Sequence, residues 1–193
     1  MPLAPGDTVV QNGGSSAVAQ AVIQLARARG LRTVTLLRPR PGREEAAARL
    51  RALGADVVTT EERLKADTAA LGGRPPALGL DCVGGPSSAA VAKALGEGAT
   101  LVTYGAMSLQ PVTIPAPLLI FRDLRVRGFW LSGRAGTAGG AAGRAAQIDA
   151  AAAAFASGVL TPPETQSFPL SRWREALEAQ AAPLRGRKVL LTP

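Results

Sequence analysis

Short runs rich in β-branched residues alternate with helix-period segments along nearly the whole chain, and no other feature narrows the possible folds as far. Thr8-Val9-Val10-Gln11 reads as a buried strand and Asn12-Gly13-Gly14-Ser15-Ser16 as a turn. In the helix that follows, Val18, Ala21, Val22, Leu25 and Ala26 recur on one face, with Gln20, Gln24, Arg27 and Arg29 opposite and Gly30 closing it. The same reading predicts strands at 33–37, 56–59, 78–83, 99–104 and 125–131. It places helices at 43–53, 61–71 and 87–95, and a helical turn at 118–122. Strands joined through helices must run parallel, with right-handed crossovers and helices on both faces, so the expected fold is α/β, a doubly wound parallel sheet. Segment 133–143, made of Gly, Ala, Thr and Arg, reads as a loop, and 145–156 as an alanine-rich helix. The Pro-rich stretch 161–169 reads as a boundary, followed by a helix at 173–181 and a strand at 188–191. Two units are expected, 1–160 and 161–193.

Composition removes many functions. The 193 residues contain no His and one Cys, Cys82, which excludes zinc sites built from His or Cys, Ser-His and Cys-His catalysis, and internal disulfides. A hydrophobic content of 47% suffices for a full core, and no apolar run approaches the roughly 20 residues of a membrane span, so no membrane partner is expected. Basic residues outnumber acidic ones 22 to 14, a net charge of +8, which raises the question of an anionic partner. Four Phe, two Trp and one Tyr give no stacking platform, so no nucleic-acid partner is expected and a phosphorylated small molecule accounts equally well for a few placed arginines. Met1-Pro2-Leu3-Ala4-Pro5-Gly6-Asp7 is turn-rich, not a charged or apolar presequence, and opens close to the first strand, as an excised domain does.

In doubly wound sheets ligands bind at the carboxyl edge of the strands, so the residues just after each strand carry the argument. Gly13 and Gly14 allow close backbone approach, Ser15 and Ser16 offer hydroxyls, and the helix behind them offers free N–H groups for a pyrophosphate. The strict G-x-G-x-x-G rule fails at Ala17 and Ala19, and an ordinary Gly-rich turn remains an alternative. The second strand ends in Arg38-Pro39-Arg40, where a carboxylate would read the ribose hydroxyls of NAD; two guanidiniums suit a 2′-phosphate, or form a solvated basic loop. Asp81-Cys82-Val83-Gly84-Gly85 and Tyr104-Gly105-Ala106-Met107 lose bulk where a nicotinamide ring needs room, with ordinary turns as the alternative. Phe129-Trp130-Leu131 suggests core or a covered interface.

Taken together, Gln11-Asn12-Gly13-Gly14-Ser15-Ser16-Ala17-Val18, Arg38-Pro39-Arg40-Pro41, Cys82-Val83-Gly84-Gly85, Val102-Thr103-Tyr104-Gly105, Gln110-Pro111-Val112-Thr113-Ile114-Pro115, Arg127-Gly128-Phe129-Trp130-Leu131 and the closing Gly186-Arg187-Lys188-Val189-Leu190-Leu191-Thr192 resemble the mitochondrial trans-2-enoyl-CoA (or acyl-carrier-protein) reductases of the medium-chain dehydrogenase/reductase superfamily. The resemblance implies a Rossmann domain and NADPH-dependent reduction of a 2-enoyl-CoA or 2-enoyl-acyl-carrier-protein in mitochondrial fatty-acid synthesis. It also implies a mitochondrial location and a homodimer. The implied NADPH contacts are Ser15, Ser16, Ala17, Val18, Arg38, Pro39, Arg40, Tyr104, Gly105, Ala106, Met107, Phe129, Trp130, Leu131 and Lys188.

Three positions depart from the family pattern: Ala19 for Gly, expected to crowd the pyrophosphate turn, Pro39 for Asp, and Asp81 for Asn. The family's GroES-like catalytic domain, with its proton-donating Tyr, has no counterpart in the sequence. No residue here is therefore assigned as catalytic, the isolated chain is expected to be inactive, and 161–193 is expected to lack its packing partner. Tyr104, the single tyrosine, falls at a cofactor contact and is not given the donor's role. An NADPH:quinone reductase of the same superfamily and a non-catalytic NADPH-binding module are the competing readings.

Overall fold

The structure, a computed structural model, describes residues 2–131, 133, 140–182 and 187–193. Its first part follows the alternation seen in the sequence: β1 (Thr8–Gln11), α1 (Ala17–Ala28), β2 (Arg32–Leu36), α2 (Arg43–Ala52), β3 (Val57–Thr59), α3 (Leu64–Ala70), β4 (Leu78–Asp81), α4 (Gly85–Ala94), β5 (Thr100–Thr103), α5 (Ala116–Arg122) and β6 (Arg125–Gly128). α6 (Gly140–Ala156) follows, then β7 (Thr165–Pro169), a 3-10 turn (Leu170–Arg172), α7 (Trp173–Ala181) and β8 (Lys188–Thr192). The six strands of the first sheet are parallel in the order β3-β2-β1-β4-β5-β6, so the direction of winding reverses between β1 and β4. This is the Rossmann arrangement expected from the sequence.

Both faces of the sheet are covered, so that even the polar residues of its central strands, Thr8, Gln11, Thr33 and Thr35, are buried. Val10 and Val34 pack on one face with Leu64, Val91, Leu95 and Leu101. Leu37 and Val58 pack with Ile23 of α1 and Ala46, Ala47 and Leu50 of α2, while Val9 packs with Ala26 and Leu31. Val9 and Val10 therefore point to opposite sides, as the period of two requires.

Several boundaries differ from the sequence reading for identifiable reasons. The buried face of α1 is Ala19, Ile23, Gln24 and Ala26, and Val18 is 50% exposed, so the helix is rotated from the predicted face. A fully paired amide allows this: Gln24 Oε1 accepts from the Thr161 N–H and hydroxyl, each at 2.8 Å, and Nε2 donates to the Gln20 carbonyl. β4 stops at Asp81 because that carboxylate accepts from the N–H groups of Val83 and Gly84 and turns the chain. β6 ends at Gly128, after which only the Phe129 N–H donates to the neighbouring strand, at the Thr103 carbonyl.

Residues 140–143, read as loop, are the start of α6, while 134–139 of that predicted loop lie outside the described residues. The Pro-rich stretch 161–169 contains β7, which pairs in parallel with β8, Phe168 opposite Leu191. Its alternation was hidden because only Phe168 of β7 is buried and prolines surround it. Among the described residues no helix is long and apolar enough to cross a membrane.

Candidate functional site

The carboxyl ends of the strands open into a cleft of about 530 Å³ that spans the reversal point. One wall is the β1–α1 turn, Asn12 to Ala17 with Gln20; a second is Leu36, Leu37, Arg38, Pro39 and Arg40 after β2, with Glu61 and Glu62 after β3. A third is Val83, Ser87, Met107 and Ser108, after β4 and β5. Pro163, Ala181, Ala182, Arg187 and Lys188 close it from the C-terminal segment.

The glycines of the first turn owe their place to the neighbouring strand ends, a close approach within the protein. Gly13 has φ +60°, and a Cβ there would lie 2.4 Å from the Cys82 sulfur. At Gly14 a Cβ would lie 2.7 Å from the Leu36 carbonyl oxygen, which accepts the Gly14 N–H. The turn is thereby pressed against the ends of β2 and β4, and α1 starts at the cleft, with Ala17 in its lining. Ser16 caps α1 by accepting from the Ala19 N–H at 3.1 Å. The N–H groups of Ala17 and Val18 have no hydrogen-bond partner among the described residues, as at any helix start that awaits an anion. Ala19 does not crowd this turn: it is fully buried beneath the helix, where its carbonyl accepts from Gln11 Nε2.

The second wall carries the charge. Arg38 and Arg40 both reach the cleft, and neither makes a side-chain hydrogen bond or ion pair among the described residues. With Arg187 and Lys188 from the C-terminal segment, four cations and two carboxylates, Glu61 and Glu62, line the cleft. No carboxylate stands directly after β2.

Behind the third wall lies a buried polar network. Asp81 is fully buried; burial pushes its carboxyl pKa up, yet hydrogen bonds from Asn12, Ser88 and the Gly84 and Val83 backbones outweigh that and hold it below the usual carboxylate range. Asn12 Oδ1 accepts the Cys82 N–H at 2.8 Å, so β1 and β4 are stitched together at the cleft floor. Burial pushes the Cys82 thiol above its ordinary value. Burial raises the Tyr104 hydroxyl as well, and the neighbouring Cys82 thiol adds to that rise.

Of the residues singled out from the sequence, the cleft gathers Ser15, Ser16, Ala17, Arg38, Pro39, Arg40, Met107 and Lys188. It does not gather Val18, Tyr104, Gly105 or Ala106; Gly105 packs on Cys82 instead, where a Cβ would meet the Cys82 carbonyl oxygen at 3.1 Å. Phe129, Trp130 and Leu131 are neither core nor cleft: they are exposed, Trp130 by 71%. Glu61, Glu62, Pro163 and Arg187 are lining residues the sequence reading passed over. For Arg187 the signal was its place beside Lys188, one residue before the last strand.

The family model described as "Zinc-binding dehydrogenase" matches residues 17–146. The mitochondrial enoyl-[acyl-carrier-protein] reductase of Homo sapiens is 42% identical over 212 residues, which cover 98% of this chain and 52% of that protein. The solved heterodimer of mitochondrial 2-enoyl thioester reductase Etr1p/Etr2p from Candida tropicalis superimposes with a TM-score of 0.82 at 28% identity, covering 92% of this chain and 52% of that one. The Etr1p/NADP/crotonyl-CoA complex gives 0.79 at 29% identity, covering 95% and 50%. The chain thus spans about half the length of these relatives.

Despite the family's description, the residues do not fit a zinc site: the sequence has no His and one Cys, and among the described residues no three His, Cys, Asp or Glu side chains converge. Fold, sequence match and structural match agree that the chain belongs to the zinc-binding dehydrogenase family, where it corresponds to the cofactor-binding half of the mitochondrial 2-enoyl-thioester reductases, members of the medium-chain superfamily.

Proposed function

We propose that this chain supplies the NADPH site of an enzyme reducing 2-enoyl thioesters, of coenzyme A or acyl carrier protein, in mitochondrial fatty-acid synthesis. The observation that carries this reading is the pair Arg38 and Arg40, unpaired, in one cleft with the N-terminus of α1 and with no carboxylate ending β2. Guanidiniums donate charge-assisted hydrogen bonds to a 2′-phosphate, and the Ala17 and Val18 N–H groups at the start of α1 donate to a pyrophosphate oxygen. Lys188 and Arg187 close over the same anionic ligand from the other side. Bound NADPH supplies the hydride for the β-carbon of the enoyl group, the α-carbon then taking a proton. Among the described lining residues no carboxyl is buried as a proton donor would be, since Glu61 and Glu62 are exposed, and Tyr104 lies outside the cleft.

The chain alone therefore does not turn over crotonyl-CoA in this reading. The reading extends to organisation: 1–160 is the cofactor domain, and 161–193 a helix-strand segment that returns to a catalytic domain. The separate two-stranded sheet and the exposed Leu170, Leu177, Leu190 and Leu191 support that division. A homodimer is supported by the edge position of β6, exposed throughout, beside the exposed Ile120, Phe121 and Trp130.

The test is a titration of NADPH and NADH into the wild type, Arg38→Ala and Arg40→Ala. Each lost charge-assisted contact is worth about 1.5–3 kcal/mol, so NADPH affinity falls roughly 10- to 100-fold per variant while NADH affinity stays constant. Equal affinities for the two dinucleotides in all three proteins refute the assignment.

A further inference from the structure

Asp81 ends β4 at the point where the strand order reverses, and among the described residues it is the only carboxylate that is fully buried. Its two oxygens face different kinds of partner. Oδ1 accepts from Asn12 Nδ2 at 2.6 Å and from the N–H groups of Val83 and Gly84 at 3.0 and 3.1 Å, none of which can accept in return. Oδ2 accepts from Ser88 Oγ at 2.7 Å and Thr103 Oγ1 at 3.1 Å, and both are hydroxyls that can turn and accept instead. The architecture therefore needs an oxygen on one side and admits an NH₂ on the other. A side-chain amide would make the same five hydrogen bonds with no charge, so the negative charge is not a requirement of the fold. It stands directly behind the cleft, because Asn12 and Val83, which bond to it, are lining residues.

We propose that the Asp81 carboxylate sets the cleft's preference between oxidised and reduced nicotinamide dinucleotide, favouring the oxidised form. The inference rests on the reading of the cleft as an NADPH site. With the 2′-phosphate at Arg38 and Arg40 and the pyrophosphate at α1, the end left for the nicotinamide is the wall of Val83, Ser87, Met107 and Ser108. The oxidised ring carries a positive charge and the reduced ring none. The phosphates are common to both forms, so their repulsion by Asp81 cancels in the ratio of affinities. For unit charges about 10 Å apart at an effective dielectric constant of about 20, that ratio changes on the order of tenfold.

The experiment measures the dissociation constant of NADPH by its fluorescence and that of NADP⁺ by competition, for the wild type, Asp81→Asn and Asp81→Ser. Asp81→Asn removes the charge and keeps the contacts. Asp81→Ser also removes the charge and puts a smaller, uncharged hydroxyl acceptor at the position that the Val83 and Gly84 N–H groups bond to. The expected result is that Kd(NADP⁺)/Kd(NADPH) rises on the order of tenfold in both variants. An unchanged ratio in folded Asp81→Asn overturns the proposal and leaves the site assignment standing. Should circular dichroism show that variant unfolded, an unchanged ratio in Asp81→Ser overturns it instead. A wild-type chain that binds neither dinucleotide overturns the site assignment and the proposal together.

Discussion

Replacing Gln24 by leucine keeps the bulk inside α1 and removes the clasp that holds the C-terminal segment on the main sheet. Two of the lost bonds are short, from the Thr161 N–H and hydroxyl to Oε1 at 2.8 Å, while the bond from Nε2 to the Thr161 carbonyl is long at 3.4 Å. Each short bond contributes about 1 kcal/mol net, and Thr161 is exposed, so its freed groups return to water at no further cost. The sum is about 2 kcal/mol, or roughly a 30-fold rise in local opening of the segment. Native-state hydrogen exchange should show faster exchange in β7 and β8 and unchanged protection in β1 and β4. Because Pro163, Ala181, Arg187 and Lys188 form one wall of the cleft, NADPH binding should weaken in parallel. Unchanged exchange in β7 and β8, or equal loss of protection in both sheets, would refute the idea that one buried amide fastens this segment.

Two further outcomes follow from local geometry. Gly14→Ala places a Cβ 2.7 Å from a backbone oxygen of β2 that cannot move alone, so it should cost about 2 kcal/mol in urea unfolding; Gly128→Ala, with open space around it, should leave the midpoint unchanged. Asp81 has its folded pKa depressed, so its contribution to stability is present at neutral pH and lost as pH falls through and below about 4. Urea unfolding from about pH 7 to pH 3 should therefore show a shallower acid loss for Asp81→Asn than for the wild type. Identical slopes would mean that the carboxylate gains nothing from its five donors.

The sheet and its crossover helices were readable from periodicity because short runs rich in β-branched residues, as at Thr8–Gln11, Arg32–Leu36 and Thr100–Thr103, each precede a helical segment. β7 was not, since Pro162, Pro163 and Pro169 frame a strand with a single buried side chain, Phe168. The charged part of the cleft was readable because Arg38 and Arg40 directly follow β2, and strand ends of a doubly wound sheet open into the cleft. The reach of the cleft was not: Glu61, Pro163 and Arg187 come from three separate elements, and only the packing of the second sheet brings them together. Tyr104, Gly105 and Ala106 do not line the cleft, because their loop is laced to the β4 end by the Tyr104 and Met107 N–H groups donating to the Asp81 and Cys82 carbonyls. Val18, expected on the buried face of α1, is exposed because Gln24, paired with Thr161, takes the place of an apolar side chain in that face.

The space that Gly13 leaves empty is filled by the sole thiol of the chain. A sulfur wedged under that seam, and kept protonated by its surroundings, meets no reagent from solvent while β1 and β4 stay joined. Labelling by a thiol-specific probe thus becomes a clock for the parting of the two central strands, readable in the native molecule without any engineered reporter.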